Sequence, residues 1–556
     1  MTEREETDPT LNEPNPYAGR WIAKIGNRVV GQGGSPNQAL QAARAARYKE
    51  TPTIFYMPTS NPFEFPEIFE RVRQALPAGL SVYLVGGAVR DILLSKLTND
   101  LDFALAGDVL KLSRRLADNL NGAYFPLDEA RDTARIVLIA EDGSRQKLDL
   151  AALRGPDIET DLKGRDYTIN AMAIALDEPQ KLLDPCGGGA DLRARLLRAC
   201  SVASLKEDPL RILRGIRLAA GFNLKIVPGT RQLMKDASGL LTGVSAERVR
   251  DELFRILETT RPSASLRALD MLGALRYILP ELQTLKGVEQ SPPHRWDVWE
   301  HTLNVLHQLE LLFSVLAVQP DPEKSANWAM GLVSMRLGRY RGQLAQHFKE
   351  ASLNLDRSPI SLLMLAALYH DVAKPLTRQI DEDGRVRFFD HEQAGAKIAA
   401  QRGKELRLSN LELERLQVIV RNHMRPLLLT NASQLPTRRA IYRFFRDAGP
   451  AGVDICLLSL ADALATYGPG LPQDLWAKHL DVVRMLLEAW WEQPQESVAP
   501  APLLDGHTLI SDFGLRPGPQ IGRLLELVRE GQASGEIKDL AAARAFIADY
   551  LSHAGR

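Results

Sequence analysis

The feature that most constrains this chain is a change of hydrophobic period along its length. Residues 66–200 mix short apolar alternations with helical stretches, whereas residues 204–290 and again 295–490 keep a helical period. At 556 residues the chain is too long for one core, so the change of period marks domain borders. The segments read as a disordered polar tail (1–16), a small α/β module (17–60), a mixed head (66–203), a helical neck (204–290), a second helical domain (291–490) and a C-terminal tail domain (500–556). Trp491 to Pro502 reads as a linker. In the small module, Trp21 to Val30 alternates across Gly26-Asn27, a hairpin signal. An alanine-rich helix (Asn37 to Tyr48) and a strand (Thr53 to Met57) follow. The fold class is α+β.

Histidine usage divides the chain a second way. All ten histidines lie at or after His294. A metal site before that point is restricted to carboxylates, which favours magnesium, while a later one has imidazole available. Lys+Arg and Asp+Glu both number 69, so a nucleic-acid partner needs a local basic face. The three cysteines (Cys186, Cys200, Cys456) have no paired spacing, which fits a reducing cytosol and argues against a disulfide framework or a thiolate zinc site. The acidic, polar start of the chain is unlike a signal peptide. No apolar run of about 18 residues suggests a membrane span.

The head carries a carboxylate constellation. Val82 to Val85 reads as a strand, Gly86-Gly87 as a turn, and a helix begins near Ala88. Such a turn lets backbone N–H groups approach a phosphate, with Arg90 in the first helical turn. Asn99 to Phe103 reads as a second strand, placing Asp100 and Asp102 on one face, about 7 Å apart at the backbone. Like charges that close repel unless a cation sits between them. Lys147 to Leu150 alternates as a third strand, and Asp149, set between leucines, needs a partner; joining the same metal site would supply one. Asp208-Pro209 reads as a helix start, Asp as N-cap and Pro at N1. Arg211, Arg214 and Arg217 follow at every third residue, opposite Leu210, Leu213 and Ile216. Asp208 and Arg211 together have the acceptors and donors to read a base edge.

Four stretches resemble, in order, the motifs of class II tRNA nucleotidyltransferases and bacterial poly(A) polymerases: VYLVGGAVRDILLSKLTNDLDF (82–103), DLKGRDYTINAMAIAL (161–176), DPCGGGADLRARLLRA (184–199) and SLKEDPLRILRGIRLAAGFNLKI (204–226). The resemblance implies a polymerase-beta-like nucleotidyltransferase head and a cytoplasmic enzyme that takes tRNA with CTP or ATP. It implies catalysis at Asp100, Asp102 and Asp149, with magnesium on the first two. It implies nucleotide contacts at Gly86, Gly87, Arg90, Arg165, Asp208, Arg211, Arg214 and Arg217. The family's flexible loop maps to Asn121–Arg135, which is short here and leaves CC, A and full CCA addition open.

Downstream, WEHTLNVL, LAALYHDVAKPLTR, FFDHEQAGAKIA, VIVRNHMRP and LSLADAL resemble the HD phosphohydrolase superfamily. That implies a metal site of His301, His370, Asp371, His391, His423 and Asp462, with Asp371 able to bridge two ions of a transition metal. His294 is read as incidental. SAERVRDELFRIL (245–257) resembles the family's RNA-binding neck, with Arg248, Arg250 and Arg255 towards phosphates, and 503–525 resembles a tail that contacts RNA. The rival readings are an HD phosphodiesterase or phosphatase, a poly(A) polymerase, and a non-catalytic RNA-binding protein.

Overall fold

The computed structural model describes residues 20–554 except 26–27, 46–50, 58–62, 78, 97, 141–142, 351–352 and 355–356. The tail at 1–16 and the Gly26-Asn27 turn lie outside the described residues. The chain divides into two compact units, 1–204 and 205–556, each treated separately below.

In the first unit, β1 (Arg20–Ile25) and β2 (Arg28–Gly33) form the expected antiparallel hairpin, and α1 (Pro36–Ala45) follows. Strand β3 (Thr53–Met57) pairs on the other side of β1. Ala39 and Ala43 bring α1 close to the sheet, where they join Ala23 and Val30 in a small core.

The head follows as α2 (Glu67–Ala75), β4 (Val82–Val85), α3 (Gly87–Leu93), β5 (Asp100–Leu105), α4 (Val109–Leu120), β6 (Ala123–Asp128), β7 (Thr133–Ile139), β8 (Arg145–Ala152), α5 (Ile158–Lys163), β9 (Ala173–Ala175), β10 (Leu182–Leu183) and α6 (Gly188–Arg193). Seven strands form one sheet in the order β10-β9-β4-β5-β8-β7-β6. Every described pairing is antiparallel except β5 with β8. One face is apolar: Leu101, Phe103, Ile136, Leu148 and Leu150 pack with Ile68, Phe69 and Val72 of α2 and Leu116, Ala117 and Leu120 of α4.

The segment expected to be a short loop, Asn121–Arg135, is largely a β-hairpin at the sheet edge. Its turn is anchored by Asp132, whose carboxylate accepts from the Val109 and Leu110 N–H groups at the start of α4 (2.9 and 3.0 Å). Pro126 fits the edge position, where no ladder donor is needed.

The Asp-Pro-Cys-Gly-Gly stretch makes a turn that starts α6. Asp184 accepts from the N–H groups of Gly188 and Gly189 (2.7 and 2.9 Å). A Cβ on Gly188 would lie 2.0 Å from the Thr168 carbonyl oxygen.

The second unit is almost wholly helical. The helix expected to begin at Asp208-Pro209 is regular only from Arg211. Asp208 instead opens the preceding turn, its carboxylate accepting from Leu210 N–H (3.3 Å). The segment expected to be a linker is packed: Ser497 is buried and Glu496 pairs with Arg438 (2.7 Å). The tail helix Pro519–Ser534 docks through Glu526 and Glu530 onto Tyr442, Arg439 and Arg443. Among the described residues Ala451–Gly470 is long and apolar enough by mean hydropathy (1.3) to pass for a membrane-crossing helix, but it contains Asp454 and Asp462 and 83% of its most apolar window is buried in the protein, as in a core helix.

His479, inside this core, hydrogen bonds with Thr430 (2.6 Å) and Ser459 (3.0 Å) through its two ring nitrogens. Burial lowers its pKa to about 4.

Two outcomes are expected. Gly188→Ala forces Thr168 aside and should destabilise the head by about 1–3 kcal/mol in urea unfolding, an overpacking cost. His479 titrates near 6.5 when unfolded and about 4 when folded. Between those values the unfolded chain holds the extra proton, so stability is complete above pH 6.5 and falls as pH drops towards 4. The loss should approach about 3 kcal/mol, and His479→Gln should flatten that part of the pH–stability curve.

Candidate functional site

Strand β5 presents Asp100 and Asp102 to solvent and buries Leu101 and Phe103. The parallel pairing with β8 sets Asp102 beside Asp149 and Asp100 beside Lys147. The three expected carboxylates therefore share one open sheet face. The partner that Asp149 requires is Arg135, an arginine that the sequence reading missed. Arg135 on β7 stands opposite Asp149 and binds both its oxygens (2.7 and 2.8 Å). Its pKa is raised by that hydrogen bond first, and further by the charges of Asp149, Asp100 and Asp102. The alternation of Thr133–Ile139 holds the signal: Ala134, Ile136 and Leu138 are buried, so Arg135 has to point the other way.

Gly86 closes the site from β4. Its φ of +74° suits glycine, and a Cβ there would lie 3.2 Å from Asp102 Oδ2 and 3.4 Å from Arg165 Nη1. The turn, β5 and Arg165 thus meet at one point. Arg165 is steadied by buried Asp161 through two hydrogen bonds (2.9 and 2.8 Å). Arg90 is turned inward: it is 8% exposed and donates to Asn170 (2.7 Å) and Asp91 (3.0 Å), tying α3, where Gly87 sits, to the Thr168–Asn170 turn.

In the second unit, Asp208 pairs with Arg248 (2.7 Å). Arg217, expected at the nucleotide, is bound to buried Glu252, while Arg211 is half-buried and Arg214 exposed. The neck arginines expected to face phosphates are likewise engaged, Arg248 by Asp208, Arg250 by Asp251 and Arg255 by Glu252. Lys225, Arg231, Lys235 and Arg261, which the sequence reading does not single out, line a cavity of about 420 Å³ and form no ion pair among the described residues.

The six HD residues converge. His301, His370 and Asp462 form one group and Asp371, His391 and His423 another, with ligand atoms in each within 4.8 Å of one another. Asp371 lies between them, 3.1 Å from His370, 3.3 Å from His391 and 3.6 Å from His301. His370, His391 and His423 each engage a carbonyl three residues back through Nδ1 (2.7, 2.7 and 2.8 Å). With Nδ1 engaged, Nε2 is the ring nitrogen left to face Asp371. The Nε2 atoms of these three and of His301 are buried without a hydrogen-bond partner. Buried nitrogens without partners around a carboxylate form a set of groups that could hold a metal ion. Burial opposes ionisation of Asp371, but His370 and Lys374 outweigh it and hold the carboxyl well below its usual range. Lys374, one turn on and 2.7 Å from Asp371, has no counterpart among the expected residues. His294 lies edge-on to His301 at 5.4 Å and is outside both ligand groups.

Comparison with known proteins follows this layout. Residues 82–198 match the Poly A polymerase head domain, 223–285 the probable RNA and SrmB-binding site of polymerase A, and 298–467 the HD domain. The chain is 34% identical over 470 residues to an A-adding tRNA nucleotidyltransferase of Deinococcus radiodurans, covering 84% of this chain and 94% of the relative. It is 33% identical to a CC-adding tRNA nucleotidyltransferase of Thermus thermophilus, covering 83% and 92%. In fold it is similar to a CCA-adding enzyme solved with CTP (TM-score 0.56, 20% identity, 88% of this chain and 96% of that one). The chain belongs to the tRNA nucleotidyltransferase family.

Proposed function

We propose that this protein adds C, A or both to the 3′ end of tRNA without a nucleic-acid template. The observation that carries the reading is the strand register that brings Asp100, Asp102 and Asp149 onto one open face beside the Gly86 turn. The RNA 3′-hydroxyl attacks the nucleotide α-phosphate in line; the new O–P bond forms as the bond to pyrophosphate breaks. Asp100 and Asp102 fit a hard divalent cation such as magnesium, and Asp149 completes the carboxylate set while held by Arg135. When bound, such ions stabilise charge on the attacking and leaving oxygens. Arg165 and the Gly86-Gly87 turn hold the triphosphate, and Arg90 braces α3 behind that turn. Asp208 and Arg211 are assigned to base choice.

A second activity is favoured by the orphaned imidazoles of the HD centre. They suit manganese, iron, nickel or zinc, whose chemistry there is activation of water for phosphate-ester hydrolysis.

Labelled CTP and ATP on tRNAs ending before, within and after CCA test the first reading. One to three added residues support it, and a long tail indicates a poly(A) polymerase. Asp102→Ala should lower incorporation roughly 100- to 1000-fold, the loss of several kcal/mol of charge stabilisation. No incorporation of either nucleotide by the wild type would refute it. For the HD centre, elemental analysis should find a bound transition metal that His370→Ala loses together with phosphoesterase activity. Hydrolysis that persists in His370→Ala would count against the assignment.

A further inference from the structure

The row of side chains that contains the catalytic carboxylates does not stop at them. Asp102 is in register with Asp149, Asp149 with Arg135, and Arg135 with Phe125 on the edge strand β6. Residues in register share a face. The neighbours of this row, Leu148, Leu150, Ala134 and Ile136, are buried on the other face of the sheet. Asp102, Asp149, Arg135 and Phe125 therefore form one line on the open face, about 14 Å long at the backbone from three strand spacings. Phe125 is 48% exposed although it sits in a hydrogen-bonded strand. Ile139, further along β7 on the same face, is 66% exposed.

Arg135 spends Nε–H and one Nη2–H on Asp149. A guanidinium has five N–H donors, so three remain for a ligand on the open side. The line thus runs from metal-binding carboxylates through a cation with spare donors to an exposed aromatic ring. That is the composition of a single-stranded nucleic-acid seat, with stacking for a base and charge for its phosphate.

The strand order says which substrate belongs there. The phosphate-approaching turn Gly86-Gly87 leaves β4, which flanks β5 on one side; β8, β7 and β6 lie on the other. In-line transfer puts nucleophile and leaving group on opposite sides of the reacting phosphorus. With the nucleotide triphosphate on the β4 side, the attacking strand approaches from the β7–β6 side.

We propose that the Arg135–Phe125 row seats the single-stranded 3′ end of the RNA acceptor. Phe125 stacks on one of its last bases, and Arg135 holds the adjoining phosphate while keeping Asp149 oriented. Stacking suits an end whose terminal base changes with each addition, because every base offers a ring face. The inference rests on the proposed nucleotide addition and specifies how the acceptor is held.

The test uses the full chain with Phe125→Ala, Phe125→Trp and Arg135→Lys. Steady-state incorporation with Phe125→Ala should show a KM for RNA raised about tenfold or more, with the KM for CTP or ATP within about twofold of wild type. Phe125→Trp should restore the RNA KM. Arg135→Lys, which keeps the charge but loses the two-pronged grip on Asp149, should lower kcat and raise the RNA KM together. A binding readout needs no turnover: 2-aminopurine at the RNA 3′ terminus should be quenched by wild type and by Phe125→Trp, and not by Phe125→Ala. A raised nucleotide KM with an unchanged RNA KM would mean that the row serves the incoming nucleotide and would overturn the proposal. Equal quenching by wild type and Phe125→Ala would also overturn it. If wild type incorporates neither nucleotide yet quenches the probe through Phe125, the catalytic reading fails and the RNA seat stands.

Discussion

The pairing of β5 with β8 places Asp102 beside Asp149, and the chemistry proposed for the head depends on that contact. Two carboxylates at roughly 5 Å repel by about 3 kcal/mol at an effective dielectric of 20. The fold accepts this repulsion because the opposite face of both strands is buried: Leu101, Phe103, Leu148 and Leu150 cannot leave the core without exposing several apolar side chains. A one-residue slip would turn the carboxylates inward and the leucines out. Arg135 offsets part of the repulsion, so the fold's own charges help to hold the acidic cluster in place.

The helical unit solves a similar problem by other means. Each imidazole of His370, His391 and His423 is fixed by a carbonyl three residues back, which for His370 and His423 lies in the helix each one closes and for His391 is Phe388 in the strand before its helix. Convergence then needs only the packing of the elements that carry them around Asp371. His479 is equally buried but has partners on both nitrogens. That difference, orphaned against satisfied, separates the candidate ligand histidines from a core histidine; burial does not.

Legibility in the sequence follows the range of the interaction. The Asp100/Asp102 face, the Gly86-Gly87 turn and the pairing of β1 with β2 are local patterns of period two or of special backbone angles, and each is readable. The edge hairpin is obscured, because Asn121–Arg135 invites comparison with a family loop and the alternation that begins at Thr133 extends beyond that window. Arg135 is missed with it. Arg217 and Arg248 are expected to face ligands, but their partners Glu252 and Asp208 lie 35 and 40 positions away, where no spacing rule reaches.

The sequence alone determined which residue types are available and which face each strand or helix presents: carboxylates in the head, imidazoles after His294, an alternation that fixes Asp100 and Asp102 outward. The tertiary structure alone decided who stands beside whom. That Asp149 meets Asp102 on one side and Arg135 on the other, that Phe125 extends the same row, and that four imidazole nitrogens face one aspartate all depend on strand order and helix packing. Those are set by burial of the whole apolar face, a sum over distant residues that no local pattern contains.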